Sequence, residues 1–265
     1  MCSTASCLYS LLVKKRLDVL LVERGLAETR NQAQAIVIAG LVQGYDKPGT
    51  QIDESVDLEV ARPPRFVSRG GEKLAHALDL LSLDPAGKDC LDIGASTGGF
   101  TDCLLQSGAA RVIALDVGHG QLHPRLRADD RVTVLERVNA RHVTTLPYPP
   151  EVIVCDVSFI SVKVALPPLL RLAAPGWQAL VLVKPQFEAG RADTPKGVVR
   201  DPAVRRRVLL DICTTAVDWG SKVVGLVDSG LPGPKGNREF LVHLIDSPEP
   251  TAPHELERWI DDAVA

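Results

Sequence analysis

The chain has 265 residues, 45% apolar, 24% charged and 4% aromatic, with a net charge of −3. That length holds one large core or a moderate core plus a small module, and the balance is ordinary for a soluble protein. No run of some 18 apolar residues exists, which excludes a membrane-spanning helix. The net charge conceals an asymmetry: residues 246–265 carry six acids and one arginine, leaving +2 on the rest, so a local basic surface is compatible with the total.

Met1 to Val13 has a short apolar run whose basic residues follow it, the wrong order for a signal peptide. A disordered leader over 1–13 is the simplest account. The six cysteines (2, 7, 90, 103, 155 and 213) show no Cys-x-x-Cys spacing. They read as reduced thiols of a cytoplasmic protein, not as a disulfide frame or a zinc site. His119 and His123 could share a helix face but lack further ligands, so no metal is expected.

Lys14-Lys15-Arg16 is a basic start to a short amphipathic helix that stops at Gly25. Glu28-Thr29-Arg30 opens a second helix, Asn31 to Ala39, and Leu41 to Val60 reads as short strands around Gly44, Pro48 and Gly49. The series Arg16-x-Asp18-x-Leu20, Gly25-Leu26, Thr29-Arg30, Ala33, Ile38, Ala39-Gly40 and Val42 resembles the S4 RNA-binding domain. The resemblance makes 14–61 a small α+β module and Arg16, Arg30 and Lys47 candidates for contact with structured RNA. The hairpin departs from that pattern, being shortened to Val42-Gln43-Gly44-Tyr45.

Arg62-Pro63-Pro64-Arg65 is stiffened by two prolines, and 62–67 is the expected linker. Arg65 and Arg69 extend the basic candidates. Ser68 can cap the next helix, which runs to Leu81.

Leu91-Asp92-Ile93-Gly94-Ala95-Ser96-Thr97-Gly98-Gly99-Phe100 reads as a buried strand, a turn of small residues and a helix start. Glycines there let a ligand approach bare backbone beside helix-start N–H groups. A second strand, Arg111 to Leu115, ends in Asp116, placed to take ribose hydroxyls. The spacing is not the Gly-x-Gly-x-x-Gly of dinucleotide sites. An acid before the first glycine would repel a pyrophosphate, yet it can bind water or an amino-acid ammonium. Asp-x-Gly-x-x-x-Gly-Gly resembles the first motif of Rossmann-like methyltransferases, which implies S-adenosylmethionine bound across Asp92, Gly94, Ser96, Gly98, Gly99 and Phe100. Asn139, after the third strand, is a candidate for the adenine side.

From there strands are expected at 89–95, 111–116, 131–136, 151–157, 178–184, 221–228 and 238–245. Helices are expected at 99–108, 121–128, 162–173 and 201–219. The alternation predicts an α/β, mostly parallel sheet, and the short loop before the last strand makes that strand antiparallel. Residues 247–265 read as an acidic tail holding at most a loose helix over 255–264.

Four ionisable residues fall at strand ends or on a covering helix: Lys73, Asp156, Lys184 and Glu239. Lys184 ends the buried run Ala179 to Val183, where desolvation, with Lys73 beside it, disfavours the ammonium and favours an amine able to accept a proton. Ser68-Arg69-x-x-x-Lys73-Leu74, Asp156 to Ser161, Leu182 to Glu188 and Gly236-Asn237-x-Glu239 are similar to the FtsJ-like ribose 2′-O-methyltransferases. With the S4-like module in front, and Lys196 to Pro202, residues 14–246 resemble the TlyA family, historically labelled haemolysins. The resemblance implies a methyltransferase domain over 68–246, a Lys73-Asp156-Lys184-Glu239 tetrad, and cytidine in ribosomal RNA or ribosomal subunits as substrate. It sets no oligomeric state.

Other readings remain. A membrane-active haemolysin needs a spanning helix or long alternating strands, and the sequence shows neither. A catalytically inactive RNA-binding protein would have a broken tetrad or cofactor loop. A base methyltransferase would follow the fourth strand with Asp/Asn-Pro-Pro-aromatic or a nucleophilic cysteine, whereas Asp156 is followed by Val157-Ser158 and Cys155 lies inside the strand.

Overall fold

The structure is a computed structural model that describes residues 14–61 and 64–265. The expected leader and the linker residues Arg62 and Pro63 lie outside the described residues. The chain divides into two compact units, one ending at Pro64 and the other running from Arg65 to Ala265.

The first unit holds β1 (Lys14–Arg16), α1 (Leu17–Glu23), α2 (Arg30–Ile38) and β2 (Gln51–Asp53). Lys14–Arg16 was expected as the lead-in to a helix; it is instead a strand, antiparallel to β2 with Lys15 opposite Ile52. The Thr29 hydroxyl accepts from Gln32 N at 3.2 Å and caps α2. Leu17, Leu20, Leu21, Ala33, Val37 and Ile52 form its core.

The second unit alternates strands and helices: α3 (Arg69–Leu81), β3 (Asp89–Ile93), α4 (Gly99–Gln106), β4 (Arg111–Asp116), α5 (Pro124–Arg127), β5 (Val132–Glu136) and β6 (Val152–Cys155). It continues with α6 (Val162–Ala165), α7 (Pro167–Leu170), β7 (Gln178–Val183), α8 (Pro185–Glu188), α9 (Pro202–Thr215), β8 (Ser221–Asp228), β9 (Phe240–Asp246) and α10 (Pro253–Val264). The seven strands lie in the order β5-β4-β3-β6-β7-β9-β8. The first five in that order pair in parallel, and β9 runs antiparallel between β7 and β8. Alternation along β3 sends Leu91 and Ile93 into the core on one face and Cys90 into the core on the other. Strand order reverses between β3 and β6, opening a crevice at the C-terminal ends of β3, β4 and β6.

Three expectations change here. The helix foreseen over 162–173 is split into α6 and α7, because Pro167 and Pro168 bring no N–H to bond the preceding turn. Phe66, assigned to the linker, is 3% exposed and belongs to the core around α3 and α4. The C-terminal helix is packed, not loose: Leu256, Ile260, Ala263 and Val264 join the sheet core, while Glu257, Asp261 and Asp262 face solvent. Arg238 closes its last turn by donating to the Ala263 and Val264 carbonyls, each at 2.8 Å.

Candidate active site at the sheet switch point

A cleft of about 640 Å³ opens where β3, β4 and β6 end, and Gly94, Ser96, Asp116, Asn139 and Asp156 are among its lining residues. Asp116 organises it. Its Oδ2 accepts from Ser96 N at 2.8 Å and its Oδ1 from Gly118 N at 2.6 Å, leaving each oxygen a further lone pair. Ser96 sits in the left-handed region, φ 50°, which turns its N–H towards that carboxylate. Asn139 accepts from Arg141 N at 3.1 Å, and this bond caps a short 3-10 turn on the cleft's rim. Leu115, Val117 and Ile160 give the cleft apolar walls.

In the glycine-rich loop Gly94, Ser96, Gly99 and Phe100 line the cleft or the smaller cavity beside it. A Cβ on Gly98 would lie 2.3 Å from Leu126 Cδ1, and one on Gly99 would lie 2.1 Å from Ser68 Oγ. The bare backbone at these two positions accommodates the protein's own packing, and Gly98 is not among the lining residues. Phe100 is 3% exposed and closes the floor behind them. Asp92 is also set back: it is fully buried beneath the loop, where Thr101 Oγ1 donates to Oδ2 at 2.6 Å and Oδ1 has no partner. Burial pushes its pKa up to about 7, and the nearby Asp156 and Asp116 charges act in the same direction. Its side chain lies beneath the loop, tied to Thr101.

A smaller cavity of about 190 Å³ shares Gly94, Ser96, Asp156 and Ser158 with the cleft and adds Ser68 and Lys184. Lys184 caps the start of α8, immediately after β7. Its ammonium forms an ion pair with Asp156, just past the end of β6, and donates to Ser158 Oγ at 3.0 Å. Lys73, on α3, forms a second ion pair with Glu239, which is fully buried just before β9. Gln186 Nε2 donates to Glu239 Oε1 at 3.2 Å. The four expected residues are thus two lysine–carboxylate pairs, with Gln186 reaching from the Lys184 segment to the other pair. Each lysine finds its own counter-charge.

Phe159 falls inside the Asp156–Ser161 block, yet the sequence assigns no role to it, the most exposed aromatic among the described residues. Phe159 is 91% exposed with φ 65°, and its ring lies 5.1 Å from that of Phe187. It borders the large cleft. Its loop is fastened by Glu188, which accepts from Ser161 Oγ at 2.5 Å and Val162 N at 2.8 Å, and burial raises the Glu188 pKa. No sequence signal separates a phenylalanine held in solvent from one in a core.

Arg16 and Arg30 converge on Asp18, which is fully buried. Arg16 Nε donates at 3.0 Å and Nη2 at 2.9 Å, Arg30 Nε at 3.0 Å and Gln34 Nε2 at 2.9 Å. These bonds, the Arg16 pair first, hold the Asp18 carboxyl well below the usual carboxylate range. Lys47 is exposed. In the second unit, Arg65 lies over the Phe66 ring at 4.7 Å and Arg69 Nη2 donates to the Pro232 carbonyl at 2.7 Å. His119 bonds Glu136 at 2.8 Å and His123 accepts from Arg125 N at 3.2 Å. Among the described residues no group of three or more potential ligands could hold a metal ion.

Residues 66–245 match the FtsJ-like methyltransferase family and residues 15–43 the S4 domain. The chain is 45% identical to the 16S/23S rRNA (cytidine-2′-O)-methyltransferase TlyA of Mycobacterium tuberculosis, over 87% of this chain and 90% of that one. It is 42% identical to hemolysin A of Brachyspira hyodysenteriae, over 87% and 99% respectively. A solved candidate hemolysin from Streptococcus thermophilus superposes with a TM-score of 0.73 at 44% identity, covering 95% of this chain and 96% of that one. Among the described residues no helix is long and apolar enough to cross a membrane.

Proposed function

The chain belongs to the FtsJ-like methyltransferase family, and on that premise we propose that it methylates a ribose 2′-hydroxyl, on cytidine in ribosomal RNA, using S-adenosylmethionine. The observation that carries this reading is the Lys184–Asp156 pair, which lines a small cavity that shares four residues with a nucleoside-sized cleft. The substrate class is drawn from the printed activity of the Mycobacterium tuberculosis relative.

The cleft's residues fit the cofactor. Asp116 has lone pairs available for ribose hydroxyls, Leu115, Val117 and Ile160 suit an adenine face, and Asn139 offers polar contact beside it. Gly94, Ser96 and Gly99 border the space that leads towards Asp156, with Asp92 and Phe100 beneath or behind them. When bound, S-adenosylmethionine supplies a methyl group on a sulfonium, ready for in-line displacement.

Asp156 and Ser158 aim the Lys184 Nζ into the smaller cavity. Lys184 gives its proton to solvent before the reaction; as the free amine it accepts the hydroxyl proton while that oxygen attacks, and Asp156 holds the ammonium that forms. Lys73, Glu239 and Gln186 line neither cavity; they keep the buried charges balanced and brace the segment that carries Lys184. Much of the acceleration comes from alignment, for which ~7–11 kcal/mol is an upper range. Arg16, Arg30 and Lys47 in the S4 unit, and Arg65 and Arg69 in the methyltransferase unit, contact RNA phosphates. Phe159 offers an unstacked base a ring to lie against.

The test is transfer of labelled methyl from S-adenosylmethionine to purified small and large ribosomal subunits, followed by nucleoside mapping. Label on the 2′-oxygen of cytidine supports the reading. Label on a base overturns the ribose assignment.

A further inference from the structure

The tripeptide Pro-Lys-Gly occurs twice, at Pro195–Gly197 and Pro234–Gly236, and both copies fold into the same 3-10 turn. In each the lysine is left-handed, with φ 57° and ψ 21° at Lys196 and φ 59° and ψ 17° at Lys235. That conformation suits glycine or asparagine, and lysine gains nothing from it locally. The turns are joined. Lys235 Nζ donates to the Lys196 carbonyl at 3.3 Å, while the buried Asn237 donates to the Gly197 carbonyl and accepts from Val199 N, both at 3.0 Å. Both lysines are exposed, and among the described residues neither pairs with a carboxylate.

The second turn is fixed to the candidate active site at two points. Gly233 packs so closely on Glu239 that a Cβ there would lie 2.0 Å from Oε1. Arg69, one turn ahead of Lys73 on α3, donates to the Pro232 carbonyl at 2.7 Å. Two cationic side chains are therefore carried on a bonded double turn, braced against the Lys73–Glu239 pair, with a third cation on the brace.

We propose that the twin Pro-Lys-Gly turns form a phosphodiester-binding site, in which Lys196 and Lys235 grip the RNA backbone beside the ribose that receives the methyl group. The site deepens the proposed RNA methyl transfer and rests on it. Lysine acts here as a point charge on phosphate, so it sets affinity and register without reading sequence.

The full chain is assayed with purified small and large ribosomal subunits across a salt series, comparing wild type with Lys196→Gly, Lys235→Gly and the double variant. Lys→Arg at both positions is the control that keeps the charge. Glycine suits both backbones, and the exposed 3.3 Å bond from Lys235 Nζ that Lys235→Gly removes contributes little, so the melting temperature of each Gly variant stays close to wild type. Each Gly substitution lowers the slope of log affinity against log salt by about 0.7–0.9, and the double variant raises KM for the subunits on the order of tenfold. The Arg variants retain the wild-type slope. Unchanged slopes and KM overturn the proposal, as does a melting temperature that falls together with affinity, since the turns would then act through the fold. A wild type that binds subunits but transfers nothing removes the underlying reading by itself, and the salt slopes still decide the lysines.

Discussion

Gln186 Nε2 lies 3.2 Å from Glu239 Oε1, so one amide from the segment that carries Lys184 touches the carboxylate paired with Lys73. The two ion pairs are therefore mechanically linked, although their members come from four separate stretches of chain. Gln186→Leu removes the only polar group of that segment bonded to Glu239 among the described residues. A hydrogen bond to a buried charge contributes about 1.5–3 kcal/mol, so the expected loss in kcat is roughly 10- to 100-fold with cofactor affinity retained. Steady-state kinetics with calorimetric cofactor titration checks it.

Asp92 titrates at about 7 in the fold against 3.8 ordinarily, chiefly because burial disfavours the carboxylate. The folded chain therefore holds an extra proton across that window. The resulting stabilisation is complete below the ordinary value and is lost as pH rises through about 7. Between about pH 5 and 8 this one group should cost wild type on the order of 2–3 kcal/mol, and Asp92→Asn should remove that slope. Urea unfolding at both pH values measures the difference.

Gly99 has no room for a methyl group, since the nearest atoms to a Cβ would be Ser68 Oγ at 2.1 Å and Gly71 N at 3.0 Å. Gly99→Ala must push α3 away from α4, and overpacking of this kind costs about 1–3 kcal/mol. Thermal unfolding should show the loss. Adding Ser68→Gly should restore part of it, because the closer of the two contacts disappears.

Phe159 contributes little to folding at 91% exposure, so Phe159→Ala should leave stability within about 0.5 kcal/mol of wild type. If the ring supports an unstacked base, the same change raises KM for ribosomal subunits by roughly 5- to 100-fold, as stacking supplies about 1–3 kcal/mol. Parallel melting and kinetic measurements separate the two effects.

Much of this architecture was legible because its signals are local. Apolar runs such as Ala179 to Val183 mark buried strands, and a charged residue ending such a run marks the edge where Lys184 stands. Long-range packing was not legible. The sequence shows glycines at 98 and 99 but not that Leu126 and Ser68 press on them. It shows acids in residues 246–265 but not that Leu256 and Ile260 draw the same helix onto the sheet. Asp18 looked like one residue of a motif; its role as the buried anchor of Arg16 and Arg30 needs the fold of the first unit.

In the proposed reaction Lys184, held by Asp156 and Ser158, takes the proton of the attacking ribose hydroxyl. Single-turnover methyl transfer to ribosomal subunits, wild type against Lys184→Ala at matched cofactor and subunit saturation, tests it most directly. The transfer rate should fall by at least about 100-fold, the scale of general acid–base catalysis, with both binding constants near wild type. Transfer at the wild-type rate in Lys184→Ala would contradict it and leave the lysine as a structural partner of Asp156.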